Sequence, residues 1–588
     1  MKQFFKFMFA SMLGFFLTSV IIIFIFMMIL VSAASFADKE VVKVKDNSIL
    51  ELSFDKPIVD RTKKQPFEEF GFAFGDEKEL GLNGIIENIA KAKNDDKIKG
   101  IYLNLAVIPS RLATIEEVRN ALIDFKESGK FIVSYGEVYT QGAYYLASVS
   151  DKIYLNPEGF LDFRGFVGQV MFIKGTLDKL DIEMQVIRHG EFKSAVEPLI
   201  LDKMSEANKE QTLTYLTSMW EHLLSQISKT RNISIQELKE IADSIKVSTP
   251  GKSVEHKLID KLLYKDELIA ELKNRLELKE KDNLNVIKIE KYANAPASLE
   301  RKRTKDKIAV IYAVGDIMSG EGDDETIGSE RISKAIREAR KDSSIKAIVL
   351  RVNSPGGSGL ASDVILREMV LAKEVKPVVV SMGDLAASGG YYISCAANKI
   401  YAHENTITGS IGVFGVLPNM QGFFNNKLGI TFDKVKTNEH ADYGSVTRGL
   451  DSYEEGLITM MVERFYTTFI THVAKGRNMT VEEVDAIGSG RVWSGIDAKR
   501  IGLIDEFGGL NDAIECAAEL AELEKYKVIN LPKQIDPFEQ MVKAIKGNTQ
   551  TKLIKNELGE SYIYFEHLKS ISQMDGIQAR LPYNIIIR

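Results

Sequence analysis

Cysteine is nearly missing from this 588-residue chain: there are two, Cys395 and Cys516. Two thiols so far apart give neither a disulfide framework nor a cysteine-based metal pattern. Histidine is scarce as well. There are seven, and none stands in an HExxH run or at paired ligand spacing, so no zinc site is expected. No cofactor is expected either. A surplus of positive charge is also lacking. The 76 Lys and Arg face 82 Asp and Glu, for a net charge of −6, which argues against a nucleic-acid partner. Past Ala37 there is no second long uncharged apolar run, so everything after the N-terminus reads as one soluble body.

What is present begins with length. A chain of 588 residues, 45% of them hydrophobic, exceeds one domain and can bury cores for three or four units. Lys2 and Lys6 precede an uncharged stretch, Phe7 to Ala37. As a helix it would run about 46 Å, more than the roughly 30 Å of bilayer hydrocarbon. Residues 1–37 therefore read as a membrane anchor. A signal peptide cut after "SFA", before Asp38, is the alternative. Lysines ahead of the span place the N-terminus on the cytoplasmic side and the rest outside.

The chain then says nearly the same thing twice. "FIVSYGEVYTQGAYYLASVSDKIYLNPEG" from Phe131 parallels "VVVSMGDLAASGGYYISCAANKIYAHENT" from Val378, with Ser134 against Ser381 and Tyr144 against Tyr391. "IKGIYLNL" at Ile98 keeps the same offset to "IKAIVLRV" at Ile345, and "KTRNISIQEL" at Lys229 falls one residue short of it against "KGRNMTVEEV" at Lys475. So extended a match implies tandem duplication of one domain. The first copy is expected over residues 45–290. A charged linker, Ala297 to Lys307, follows. The second copy is expected over 301–530, then a tail over 531–588 whose apolar end would add a strand or pack at a subunit contact. In each copy β-branched runs ("KIAVIYAV", "KPVVVSM") alternate with helical patterns ("SERISKAIREARKD", "ASDVILREMVLAKEV"). Alternation of this kind predicts βαβ units around a parallel sheet.

Two strand-to-loop junctions of the second copy invite chemistry. "LRVNSPGGSG" ends a strand at Ser354-Pro355-Gly356-Gly357, and "VVVSMGDLAASGG" places Ser388 at the start of the helix expected over "GGYYISCAA". Open α/β sheets put ligands at such junctions, and helix N-termini offer free N–H groups. A serine nucleophile attacking an acyl carbon needs two N–H donors aimed at the developing oxyanion. Gly389 can supply one and a glycine of the SPGG turn the other, because a residue without Cβ allows close backbone approach. The plain alternative is that Ser388 merely N-caps its helix. A nucleophilic serine also needs a base. His403, expected at a strand end, and His472, in an amphipathic pattern, form no evident Ser-His-Asp set. A lysine can serve if burial lowers its pKa, but composition cannot choose among the lysines.

Together "RVNSPGG", "DLAASGGYYIS" and "ITGSIGVFG" resemble the signal peptide peptidase A family of membrane-anchored serine proteases. "GEFKSAVEPLILDKMSEANKEQ" (Gly190 to Gln211) resembles its long, duplicated protease IV form. The resemblance spans nearly the whole chain after the anchor. It implies an α/β fold of two tandem crotonase-like domains, related to Clp protease, and a Ser–Lys dyad. Ser388 would be the nucleophile, Lys193 the general base and Ser410 of "TGSIG" the lysine's hydrogen-bonding partner. Gly389 with Gly356 or Gly357 would form the oxyanion hole. By the resemblance the enzyme sits in the bacterial inner membrane as a homotetramer with its body on the periplasmic side. It degrades cleaved signal peptides and other unfolded or membrane-associated peptides.

The repeat gains meaning from this. Ser388 corresponds to Gln141 in the first copy, Gly356 and Gly357 to Pro109 and Ser110, and Lys193 to His440 or Ala441 in the second. Each copy keeps half of a site. Two rival functions fit the same sequence: a noncatalytic membrane scaffold built from a degenerate protease, and a crotonase-fold acyl-CoA enzyme that holds an enolate with the same paired N–H groups.

Overall fold

A computed structural model of the chain describes residues 2–36, 42–62, 80–296, 304–535, 577–581 and 586–587. The proposed cleavage-site residue Ala37, the linker residues 297–303 and the tail over 536–576 lie outside them. The uncharged N-terminal run forms one helix, α1 (Lys2–Phe36). Its stretch Gln3–Ile22 is long and apolar enough to cross a membrane, and none of it is buried.

The first half builds β1 (Ser48–Leu52), β2 (Ile98–Asn104), β3 (Phe131–Tyr139), β4 (Lys152–Leu161), β5 (Glu183–Arg188), β6 (Lys261–Leu262) and β7 (Asn285–Lys288). All but β5 form one sheet in the order β6-β4-β3-β2-β1-β7, and every pairing in it is parallel. The second half builds β8 (Lys307–Val314), β9 (Ile345–Ser354), β10 (Gly356–Ser358), β11 (Val378–Ala387), β12 (Lys399–Ala402), β13 (Ile407–Gly409), β14 (Phe414–Asn419), β15 (Val492–Ser494), β16 (Glu506–Phe507) and β17 (Lys527–Leu531). Its main sheet runs β15-β13-β11-β9-β8-β17, with β12 also on β11 and β16 on β12. The two sheets repeat each other: β8, β9 and β11 stand where β1, β2 and β3 stand, and β17 closes on β8 as β7 closes on β1. These are the tandem α/β domains expected from the duplication. All ten residues of β11 are buried, as a parallel strand covered on both faces requires.

The helices predicted over "SERISKAIREARKD" and "ASDVILREMVLAKEV" form at Ser329–Lys341 and Gly359–Lys373. The one expected over "GGYYISCAA" is shorter: Gly389–Tyr392 only. Ser394 Oγ donates to the Gly390 carbonyl at 2.7 Å, and Ser394 N–H bonds Tyr391 O at 3.0 Å, a tighter turn. Serine competing for backbone groups weakens helices in this way.

The halves interlock rather than sit side by side. A third sheet takes strands Asp316–Met318 and Thr326–Gly328 with β10 from the second half, then a tail strand β18 (Ile577–Arg580), then β14, then β5 from the first half. β5 pairs antiparallel with β14 over six residues, from Phe414↔Arg188 to Asn419↔Glu183. Elsewhere at the junction the buried Arg351 donates to Asp60 (2.7 Å), Glu117 (2.9 Å) and Ser381 Oγ (2.8 Å). Paired on both sides, that guanidinium is a satisfied buried charge rather than a liability.

Candidate active site

Ser388 lies between the end of β11 and the short helix, in a backbone conformation (φ 55°, ψ −114°) that non-glycine residues rarely adopt. Such strain costs on the order of 1–3 kcal/mol and persists only where surrounding structure enforces it. Here Ser388 N–H donates to Gly409 O at 2.7 Å, which ties the turn to β13. The side chain makes no N-capping bond. Instead Ser388 Oγ lies within hydrogen-bond distance of Lys193 Nζ, at 2.8 Å. Lys193 Nζ also donates to Ser410 Oγ at 3.0 Å and Ser410 O at 3.1 Å. Lys193, Ser388 and Ser410 are all 0% exposed.

Burial without a countercharge disfavours the charged form of this lysine. Desolvation pushes its pKa well below the usual lysine value, and among the described residues no carboxylate pairs with it. A neutral amine within hydrogen-bond reach of a serine hydroxyl is the arrangement proton abstraction requires. Small residues make room for its stem. A Cβ on Gly490 would stand 2.6 Å from Lys193 Cβ, and one on Gly412 would stand 3.2 Å from Lys193 Cδ.

First-half residues carry the lysine across. After β5 the chain turns at Gly190 and Phe192 N–H donates to Ser489 O at 3.1 Å. Gln211, on the helix Glu206–Arg231, brackets Lys193: its Nε2 donates to Phe192 O (3.0 Å) and Ser194 Oγ (2.9 Å), while its Oε1 accepts from Val492 N–H (3.1 Å). The buried Glu197 accepts from Ser205 Oγ (2.6 Å) and Asn208 Nδ2 (2.9 Å). The sequence motif Gly190–Gln211 contains every first-half residue of this set, yet the resemblance singles out the lysine alone. The polar residues spaced along the motif are the signal for the rest.

On the opposite side Gly356 and Gly389 meet. A Cβ on Gly356, which has φ +99°, would stand 2.7 Å from Gly389 N. Gly356 N–H donates to Ser354 Oγ at 3.1 Å, so Ser354 shapes this turn. Gly357 follows in β10.

At the places matching Ser388 and the glycine turn, the first copy has neither a nucleophile nor the glycines. Gln141 accepts from the N–H groups of Arg164 (3.0 Å) and Gly165 (2.7 Å), and Ser110 Oγ accepts from Ile58 N–H (2.8 Å). A cavity of about 370 Å³ lies beside them. Among the described residues no histidine bonds Ser388 either: His403 faces Glu117 at 3.4 Å, and His472 faces Asp363 at 3.7 Å. Two His–carboxylate groups among the described residues have metal-like spacing, Glu116–His222–Glu404 and His440–Asp451–Glu454. Both already hold internal hydrogen bonds, Glu116–His222 at 2.5 Å and His440–Glu454 at 3.1 Å.

The profile of peptidase family S49 matches the chain twice, over residues 124–279 and 371–524. Protease 4 of Salmonella typhi is 38% identical over 82% of this chain and 79% of its own length. The chloroplastic serine protease SPPA of Arabidopsis thaliana is 32% identical over 92% of this chain and 78% of its own. Among solved structures, a point mutant of ClpP1 from Listeria monocytogenes aligns with 35% of this chain and 94% of its own at 17% identity, with a TM-score of 0.24. With the family profile matched in both halves and relatives aligned along most of its length, the chain belongs to peptidase family S49 and is a serine peptidase, not an acyl-CoA enzyme or a scaffold.

Proposed function

We propose that the enzyme is a membrane-anchored endopeptidase working by a Ser388–Lys193 dyad, one composite site per chain. Neutral Lys193 takes the proton of Ser388 as Oγ attacks the scissile carbonyl. The oxyanion forms against backbone N–H groups at Gly389 and at Gly356 or Gly357, the Gly356 N–H serving only if it leaves Ser354 Oγ. The ammonium of Lys193 then protonates the leaving amine, and water enters by the reverse sequence. Ser410 orients the lysine throughout. The observation that carries this reading is the 2.8 Å contact between a buried, uncompensated lysine amine and a buried serine hydroxyl on a strained turn.

Substrates are extended chains: cleaved signal peptides and other unfolded or membrane-associated peptides. The apolar helix α1 supports this by tethering the body beside a membrane, with the body on the periplasmic side of the inner membrane. Four copies assemble as a tetramer. The test uses full-length protein in detergent and a fluorogenic unfolded apolar peptide. Ser388→Ala and Lys193→Ala should each lose at least about 1000-fold in turnover while elution volume on gel filtration stays unchanged. Normal turnover in Lys193→Ala would place the base elsewhere.

A further inference from the structure

The first copy keeps a cavity where the second copy keeps its chemistry. Ser110, Thr140, Gln141 and Gly142 line it, and at the duplication offset they stand for Gly357, Ala387, Ser388 and Gly389. Its volume, about 370 Å³, falls within the roughly 300–1,000 Å³ of ligand pockets. The wall is mostly apolar, with Ile108, Leu112, Ile115, Phe166, Met219 and Ile407. Val107 lines it too and is 54% exposed, so the cavity reaches the surface.

One polar atom of a lining residue is left open. Asn405 is 2% exposed, and its N–H and Nδ2 donate to Glu116 Oε2 at 3.3 and 3.0 Å. A carboxylate only accepts, so the amide nitrogen has to face Glu116 and Oδ1 turns away from it. Asn405 Oδ1 has no hydrogen-bond partner among the described residues, and a buried acceptor without a donor is costly. The carboxylate of Asp384, by contrast, already receives two bonds, from Thr114 N–H (2.9 Å) and Oγ1 (2.6 Å). Charges of both signs line the cavity, Arg111 and Arg164 with Asp162 and Asp384, and Arg164 pairs with Asp162 at 3.0 Å. An ion of either sign is therefore a poor fit. An apolar wall with one open acceptor suits an apolar side chain and the peptide N–H beside it.

The dyad is close by. Asp384 lies on β11 four residues before Ser388, about 13 Å of extended chain. Ile407 opens β13, which pairs with β11 through Leu385↔Ile407 and Ala387↔Gly409. Both strands therefore serve the cavity at one point and the serine at the next. We propose that the cavity is a noncatalytic docking site for an apolar stretch of the substrate peptide, holding the chain while another part of it is cut at Ser388. With Gln141 in place of a nucleophile, the first copy can hold a peptide without cleaving it. The inference rests on the dyad reading and adds a substrate class: unfolded peptides long enough to reach both places, with an apolar side chain outside the segment being cut. Docking at one place raises the effective concentration of the rest of the chain at the other.

Two measurements on full-length protein in detergent test this. The first compares a long unfolded apolar peptide with a fluorogenic tripeptide amide of the same cleavage sequence. Val107→Trp, which sets an indole at an exposed position of the cavity, is expected to cut the ratio of kcat/KM for the long peptide to that for the short one by about 10-fold or more. A ratio that stays at its wild-type value overturns the proposal and leaves the dyad standing. The second measurement offers Ser388→Ala the long peptide carrying benzophenone groups at its apolar positions, and maps the photo-cross-links by mass spectrometry. Cross-links are expected within residues 107–115, 140–142 or 164–166, the segments that line the cavity. Cross-links confined to the second half overturn the proposal. A wild type that cleaves neither peptide sinks the dyad reading, and the cross-links then decide the docking site by themselves.

Discussion

At the scale of single residues, Lys193 bears the tension in this molecule. It is buried with two hydroxyls and a carbonyl for company and no carboxylate among the described residues. An unfolded chain would hold the same lysine protonated to about pH 10.4. Between the depressed folded value and that limit the unfolded state binds more protons, so stability rises with pH across the window and the lysine works against folding below it. Two outcomes follow. The rate kcat/KM should climb with pH as Lys193 loses its proton, and a control at the ordinary histidine pKa would contradict this assignment. Lys193→Met, which keeps the stem and removes the amine, should abolish turnover while raising Tm by a few degrees at neutral pH and flattening its pH dependence. A lower Tm in Lys193→Met would mean that the amine is held by interactions stabilising its charged form. Such opposition between stability and activity is common where active groups are desolvated.

At the scale of elements, the lysine is only as well placed as the strand and helix that deliver it. Gln211 reaches both peptide neighbours of Lys193 and the start of β15, so it fixes the lysine through its neighbours. Gln211→Ala should lower kcat by about 10-fold or more, as lost supporting hydrogen bonds do elsewhere, with KM little changed and the pH profile shifted. An unaltered profile and rate would make Gln211 a purely structural residue. What the sequence disclosed at this scale was local or repeated. β-branched runs marked β8, β9 and β11 because a parallel strand buries both faces, and a near-constant offset exposed the duplication. Ser388 and Ser410, named from two separate motifs, both lie within 3.1 Å of the amine of Lys193, named from a third. The pairing of β5 with β14 was not legible, because antiparallel registry between segments over 200 residues apart leaves no periodic trace in either. The tail strand was legible only as one of two alternatives: four residues, "IQAR", carry too little alternation to declare which edges they will join.

At the scale of the whole molecule, duplication has been turned from symmetry into dependence. The first-half position matching Ser388 is Gln141, whose side chain ties down a loop, and the region matching Lys193 in the second half is the segment around His440 that bonds Glu454. On the proposed reading, one site remains that neither half contains. Several independent devices hold the halves in register for it. They are the β5–β14 ladder, the Arg351 cluster with Asp60 and Glu117, and Asp384 of the second half accepting from Thr114 N–H (2.9 Å) and Oγ1 (2.6 Å) of the first. Glu117 illustrates the quality of the junction. Burial alone would raise its pKa, yet Arg351 and His403 outweigh that and hold it down to about 2. All of these contacts run within one chain, and so does the 2.8 Å contact of the dyad. A neighbouring subunit is therefore not needed to complete the chemistry, whatever assembly the enzyme adopts. Mixing or co-expressing Lys193→Ala with Ser388→Ala should leave peptide cleavage at the background of either variant alone. Recovery of a substantial fraction of wild-type turnover would show lysine and serine arriving from different chains, and the interlocked halves would then be a scaffold for exchange between subunits.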